Sequence, residues 1–311
     1  MPLFRIDKKT LEPIKEKPFE LEREMQRLTE ENIETIFGLE FISSEFELHG
    51  LRIDTLVFDP QANTFVIIEY KRDKNFSVVD QGLSYLSLML NNKADFVLEC
   101  GERRKKPLRR DEIDWSQARV MFLATSFTSY QQNAINFKDF PVELWEVIRY
   151  DNSSILYNRL KTGEGRASIK GLNKNKEIQN VSREIRQYNE EDLIIKGAKS
   201  ESLYRKLKER VLLVDPTLVV HPTKLYLTFR FPNDWRNFFA VWFRREKLII
   251  ELLRSQPIDF RDPEKRVKYR KDSFKNFNQH ISQIEVQDEG ELEYAIYLIQ
   301  QLYDRFTKEY K

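Results

Sequence analysis

Asp54, Glu69 and Lys71 are the residues whose types and spacing point to chemistry. Leu51–Phe58 and Phe65–Tyr70 are rich in β-branched and aromatic residues, and the Asp59-Pro60-Gln61-Ala62-Asn63-Thr64 stretch between them is a cluster of turn formers. The pair reads as a β-hairpin. With the turn centred between Gln61 and Ala62, Phe58 faces Phe65 and, four steps down the ladder, Asp54 faces Glu69 with Cβ atoms about 5 Å apart. Lys71, two residues beyond Glu69, shares that face, and Tyr70 points to the other. Facing carboxylates repel in a purely structural sheet unless a cation sits between them. Mg²⁺ or Mn²⁺ suits the pair, because such a hard ion takes one or two carboxylates and fills its shell with waters and phosphate oxygens. A lysine beside it can orient an attacking water and stabilise charge on a phosphate, which is the chemistry of phosphodiester hydrolysis. The alternative is a surface salt-bridge cluster, energetically slight. Two apolar strands covered on both faces weigh against that alternative, since such strands do not end in charge without a reason.

Around this hairpin the sequence predicts an entry strand or arm over residues 1–17. A helix from Phe19 to Phe37, carrying Leu21, Met25, Leu28, Ile33 and Ile36, is then capped by Gly38. A strand Phe41–Leu48 follows, with His49-Gly50 as a turn and His49 a turn residue rather than a ligand. Ser77–Leu90 reads as a helix that places Gln81 and Tyr85 on one face. Ala94–Cys100, Val120–Ala124 and Glu143–Tyr150 read as strands and Thr128–Phe137 as a helix, a succession that suits an α/β mixed sheet flanked by helices.

Arg-Ile-Asp54, then Ile-Ile-Glu69-Tyr-Lys71-Arg, then the helix with Asp-Gln81-Gly-Leu-Ser-Tyr85 resemble the PD-(D/E)XK nuclease superfamily, and more narrowly the NucS (EndoMS)-like endonucleases, over roughly residues 18–150. The resemblance implies a restriction-endonuclease-like fold and a metal-dependent DNA endonuclease acting in repair or restriction. It implies that Asp54 and Glu69, with the carbonyl of Tyr70, hold the divalent metal, that Lys71 assists the metal-activated water, and that Gln81 supports the site. It further implies an acidic residue from the first helix, Glu22 or Glu24. Glu22 is preferred because it lies three residues before Met25 on the same face.

Arg52, Arg72, Lys74 and Tyr85 border these residues and are candidate DNA contacts. The run Gly101–Asp114 holds the densest basic patch, with Arg103, Arg104, Lys105, Lys106, Arg109 and Arg110, able to neutralise several phosphates beside the metal site. The whole chain is nearly neutral, with 52 Lys plus Arg against 50 Asp plus Glu, so only such local patches bear on nucleic acid. Its single cysteine, Cys100, excludes an internal disulfide and reads as a small buried hydrophobe. No run is long and apolar enough for a bilayer, and the start of the chain lacks a signal peptide's apolar core, so no membrane role and a cytoplasmic location are expected. Cutting both strands of a duplex with one site per chain makes a homodimer the expected assembly.

The expected organisation is a nuclease domain over 1–160, a Gly/Asn-rich charged linker over 161–198 and a small α+β domain over 199–311 built on an antiparallel sheet. In the latter, helices are predicted over Ser200–Val214 and Glu289–Phe306, and strands over Lys224–Phe231, Asn237–Phe243 and Lys247–Leu253. Phe229, Phe231, Phe238, Phe239, Trp242 and Phe243 with Lys265, Arg266, Lys268, Arg270 and Lys271 read as core plus a charged loop, as a stacking platform with a backbone clamp, or as a dimer interface. His221 and His280 lack partners at metal-ligand spacing. Two further function classes stay open: a catalytically inactive nucleic-acid-binding module on a nuclease fold, and a protein-interaction module.

Overall fold

In the computed structural model, residues 3–72, 76–104, 108, 111, 113–135, 140–160, 181, 184–186, 188–232, 236–277 and 279–309 are described. The chain forms two compact units, Met1–Gln187 and Tyr188–Lys311. Val181 and Ile185 belong to the core of the first and Ile194 to that of the second, so at these described positions the stretch read as a linker is packed.

The first unit opens with a two-stranded hairpin of β1 (Leu3–Asp7) and β2 (Thr10–Ile14), then α1 (Glu22–Glu30) and α2 (Ile33–Phe37). The single helix expected over 19–37 is broken because the Asn32 amide donates to the Leu28 carbonyl at 2.9 Å and the Asn32 backbone leaves the helical region. Gly38 ends α2 at φ +65°, a conformation that costs glycine little.

Next come β3 (Glu40–Leu48), β4 (Leu51–Asp59), β5 (Thr64–Lys71), α3 (Val78–Asn91), α4 (Lys93–Arg104), β6 (Arg119–Ala124), α5 (Ser129–Ala134), β7 (Val142–Arg149) and β8 (Ile155–Arg159). The sheet order is β3-β4-β5-β6-β7-β8, with β5, β6 and β7 parallel and the other pairs antiparallel, so the sheet is mixed. The strand expected over Ala94–Cys100 is the helix α4. Phe96 and Cys100, four apart, are buried, whereas Leu98, which a strand would place beside them, is 64% exposed. Ser77 caps α3 by accepting the Asp80 N–H. One face of the sheet packs against α3 and α4 through Leu56, Phe58, Phe65, Ile67, Leu86 and Phe122; the other packs against α1 and α2 through Val57, Val66, Ile68, Tyr70 and Met25.

The second unit comprises α6 (Lys199–Val214), β9 (Val219–Pro222), β10 (Leu227–Arg230), β11 (Asn237–Phe243), β12 (Leu248–Leu253), β13 (Lys268–Tyr269), α7 (Ser273–Phe277), β14 (Ile281–Val286) and α8 (Glu289–Glu309). Its sheet is antiparallel in the order β13-β14-β12-β11-β10-β9. The strand expected from Lys224 starts only at Leu227, because Thr223 and Tyr226 close a turn that exposes Leu225. Phe229, Phe238, Phe239 and Phe243 are buried in its core, which removes the stacking platform, and Arg266 and Arg270 of the supposed clamp pair with Glu291 and Glu251, both at 2.6 Å. Among the described residues no helix is long and apolar enough to cross a membrane.

Candidate active site

The turn residues set the register of β4 against β5: Phe58 pairs with Phe65 and Thr55 with Ile68. One step further the ladder ends at Asp54, whose Oδ2 accepts the backbone N–H of Tyr70 at 3.0 Å. The other flank is interrupted at the same place. Ser44 pairs with Thr55 and Phe46 with Ile53, but Glu45, which would oppose Asp54, sits in the left-handed region at φ +54°. Asp54 thus lies where both neighbouring ladders open.

Glu69 and Lys71 alternate with Tyr70 along β5, so they project toward α3 while Tyr70 is buried against the α1 side. Glu69 is 3% exposed and both its oxygens are held: Lys71 Nζ donates to Oε1 at 2.7 Å and the Tyr85 hydroxyl to Oε2 at 2.8 Å. Burial, with the Glu69 charge adding to it, pushes the Asp54 carboxyl up to about 7. Burial acts to lower Lys71, but its hydrogen bond to Glu69 and the charges of Glu69, Asp54 and Glu22 outweigh this and hold it above the ordinary lysine value. Lys71 is therefore a fixed ammonium here. It can orient water and stabilise anionic charge.

Helix α1 supplies the third side of the site. Glu22, in its first turn, accepts the Arg72 N–H at 2.7 Å, directly past Lys71. Glu24 is instead committed to Arg149, so of the two carboxylates only Glu22 faces the end of β5. One turn on, the buried Gln26 amide lies 3.0 Å from the Asp54 carbonyl and 3.2 Å from Glu45 Oε1. Gln26 and Glu45 were not among the residues singled out from sequence. Gln26 shares its helix face with Glu22 at a spacing of four, but nothing local reveals that it reaches β4.

Gln81 is on α3, one turn before Tyr85. Its Oε1 is buried and has no hydrogen-bond partner among the described residues. Tyr85 differs from expectation: only 7% exposed and turned onto Glu69, it has no surface to offer DNA.

The basic candidates divide. Arg52, at the start of β4, is exposed and pairs with Glu45 at 2.9 Å, and Arg72 is exposed with its guanidinium on the Glu20 carbonyl at 2.6 Å; both stay at the carboxylate end of the hairpin. Arg104 is held by Glu40 at 3.1 Å and stacks on Phe58, and Arg103 lies over Phe41. Phe58 is four residues along β4 from Asp54, about 13 Å at the rise of a strand. These two arginines are thus at the far end of the hairpin and not beside the carboxylates, because α4 is a helix docked on β3 where a strand end was expected. Lys74, Lys105 and Lys106, with Arg109 and Arg110, fall outside the described residues.

No family model matches the chain. A protein of Haemophilus influenzae Rd described only as uncharacterized is 45% identical over 232 residues, covering 74% of this chain and 77% of the relative. The chain belongs to the family of that protein. Among solved structures, a repair endonuclease from Pyrococcus abyssi aligns at 21% identity and a TM-score of 0.26, over 42% of this chain and 49% of that one. An EndoMS–dsDNA complex aligns at 19% identity and a TM-score of 0.25, over 42% of this chain and 47% of that one. The chain spans about half the length of each, and overlays this slight do not bear on activity.

The donor set of the site itself fits a hard divalent cation. Asp54 and Glu69 supply oxygen; the Gln81 carbonyl oxygen, one turn before Tyr85 on α3, has no partner among the described residues, which burial leaves at a cost of about 1–3 kcal/mol. Among the described residues no three His, Cys, Asp or Glu side chains converge as a complete cage. A site of two carboxylates suits an ion that keeps waters and substrate oxygens in its shell. His49 bonds Asn92 and His280 bonds Tyr269, both at 2.9 Å.

Proposed function

We propose that the first unit is a divalent-metal-dependent DNA endonuclease of restriction-endonuclease-like fold. The observation that carries the reading is the Asp54–Glu69–Lys71 group at the end of the β4–β5 hairpin, with Glu69 buried and Asp54 and Lys71 half-buried, Lys71 2.7 Å from Glu69 and the Asp54 carboxyl raised to about 7. A carboxyl so raised is an anion whose charge the folded chain does not compensate, which is the state a cation would relieve. Asp54 and Glu69 would hold the ion, with the Tyr70 carbonyl as a further ligand.

When bound there, Mg²⁺ or Mn²⁺ would supply the Lewis acidity that lets water attack a phosphodiester near neutral pH. The chain's own residues do the rest. Lys71, fixed by Glu69, orients the water and stabilises the charge gathering on the phosphate. Tyr85 and Gln26 hold Glu69 and the Asp54 backbone in place, and Gln81 presents an acceptor to the lysine or the substrate. Arg52 and Arg72 lie where the flanking phosphates would run. A second copy of the chain would be needed to cut both strands of a duplex in one encounter.

The test is hydrolysis of end-labelled single-stranded and duplex DNA with Mg²⁺ or Mn²⁺ by the native chain, Asp54→Ala and Lys71→Ala. Metal-dependent cutting lost in both variants is expected; a native chain that binds these DNAs and never cuts them would instead fit the non-catalytic binding module.

A further inference from the structure

The β1–β2 hairpin is not absorbed by the catalytic reading. Among the described residues it pairs with no other strand except through an isolated bridge at its root, and every residue of β1 is exposed. Its register sorts its side chains by face. Phe4 pairs with Pro13 and Ile6 with Leu11, giving one wholly apolar face, whereas Arg5 pairs with Glu12 and Asp7 with Thr10 on the other. Ile6 is 75% exposed and Leu11 62%, immediately behind a tip formed by Lys8 and Lys9. An isolated two-stranded ribbon is marginal on its own in water, and an apolar face of this kind is retained for something to cover it.

Charge indicates what that is. Residues 5–17 hold five bases, Arg5, Lys8, Lys9, Lys15 and Lys17, against the acids Asp7, Glu12 and Glu16, a surplus of two that equals the formal net charge of +2 of the whole chain. Arg5 is spent on Glu12, while the four lysines are exposed, two of them at the tip. Lys8 occupies the left-handed region at φ +53°, where a turn normally places glycine or asparagine, so the tip carries a cation at a local conformational cost.

The root fixes the location. Lys17 N–H donates to the Arg149 carbonyl at 2.7 Å and Asp151 N–H to the Lys15 carbonyl at 2.9 Å, which ties the hairpin to the carboxyl end of β7. Lys71 is in register with Ala124, and Ala124 with Glu146, three residues before Arg149. The root is thus at the same end of the sheet as Lys71, two strand spacings of about 4.8 Å across and three residues of about 3.3 Å along. Five-residue strands extend about 17 Å from it.

We infer that this hairpin is a DNA wedge: its apolar face, led by Ile6 and Leu11, enters between base pairs of a duplex whose phosphate lies at Asp54 and Glu69, and Lys8 and Lys9 hold the phosphates on either side. The inference rests on the DNA reading of the site above. Apolar ribbons flanked by lysines bind bent or partly unstacked duplex in this manner, and the insertion is confined to double strands.

The experiment uses the full chain. Affinity for a fluorescein-labelled duplex and unstacking of an internal 2-aminopurine are read in the Asp54→Ala background with Mg²⁺, so that the duplex stays intact. Cutting of single-stranded DNA is read in the otherwise native chain, and thermal melting confirms that each variant is folded. Ile6→Ser with Leu11→Ser should abolish the 2-aminopurine signal and weaken duplex affinity roughly tenfold, leaving single-strand cutting intact. Lys8→Gln with Lys9→Gln should lower the slope of log affinity against log salt by about 2. If the native chain cuts DNA but both double variants keep its duplex affinity, salt slope and unstacking, the wedge is wrong and the nuclease stands. If the serine variant instead halves the mass in light scattering with duplex affinity unchanged, the face is a contact between two copies and the wedge is again overturned. If the native chain neither binds nor cuts any DNA, the nuclease reading fails and the wedge with it.

Discussion

The Tyr85 hydroxyl stands 2.8 Å from Oε2 of Glu69, so a helix residue fixes a strand carboxylate from the side opposite Lys71. Tyr85→Phe removes that donor and little volume, leaving a buried carboxylate oxygen short of one bond. Losing an outer partner of a metal-holding group typically costs about 10–100-fold in metal affinity or activity. The expected result is a rise of about tenfold in the Mg²⁺ concentration giving half-maximal cleavage, with maximal rate less affected. An unchanged Mg²⁺ titration would mean that Glu69 does not hold the ion.

Asp54 links the site to stability. In the folded chain its carboxyl ionises near 7 instead of near 3.8, so between those values the unfolded chain holds fewer protons than the folded one. Stability is therefore full below the lower value and falls as pH rises from there through the upper one, by something of the order of 4 kcal/mol. Asp54→Asn abolishes this loss. In EDTA the variant should melt above the native chain at pH 8 and close to it at pH 4, while cutting no DNA; adding Mg²⁺ at pH 8 should raise the melting temperature of the native chain alone. The same gap between the two proteins at both pH values would show that Asp54 is not under this burden.

Gln81 makes a prediction of opposite sign for fold and function. Its side-chain oxygen is buried without a partner among the described residues, so Gln81→Met removes an unsatisfied acceptor at nearly constant volume. The variant should melt no lower than the native chain, and higher by up to about 1–3 kcal/mol of stability, yet cut DNA more slowly. A destabilised variant with normal cutting would make Gln81 an ordinary packing residue.

How much of this was legible in the sequence follows from the range of each interaction. The pairing of Phe58 with Phe65 could be placed because a short turn dictates register and a period of two then assigns faces. That alternation put Glu69 and Lys71 on one face and Tyr70 on the other. It did not predict that the ladders open at Asp54, which depends on Glu45 from another strand adopting a left-handed conformation. Tyr85 was misread as a DNA contact because a helical face is defined by spacing, whereas whether it meets solvent or a strand is decided by docking. α4 was misread as a strand because a short apolar run fits either period, and only the exposure of Leu98 separates them. β13 and β14 escaped notice since Lys268–Tyr269 is two residues long and Ile281–Val286 mixes Ser, Gln and Glu into its apolar alternation.

Gly82, between Gln81 and Tyr85 in neither contact nor charge, offers a test of what places both. A Cβ at this position would stand 2.8 Å from Cγ2 of Val142 on β7, closer than real carbon contacts allow, with the Phe122 and Phe140 rings next at 3.7 and 3.8 Å. Val142 is buried in the same core as Phe122, so it has little room to withdraw. Gly82→Ala must therefore lift α3 from the sheet by a few tenths of an ångström. It gains helix propensity and loses packing, and overpacking of a tight core costs about 1–3 kcal/mol, more than the roughly 1 kcal/mol that alanine gains over glycine. The variant should melt below the native chain. Because the shift carries Gln81 and Tyr85 away from β5 together, cleavage should fall further than in Tyr85→Phe at a temperature where the variant is fully folded. Gly82→Ala with Val142→Ala reopens the space and should restore much of the cutting without touching any residue of the site. Failure of that second change to rescue activity, with folding restored, would show that the seating of α3 on β7 is not what sets the geometry around Glu69.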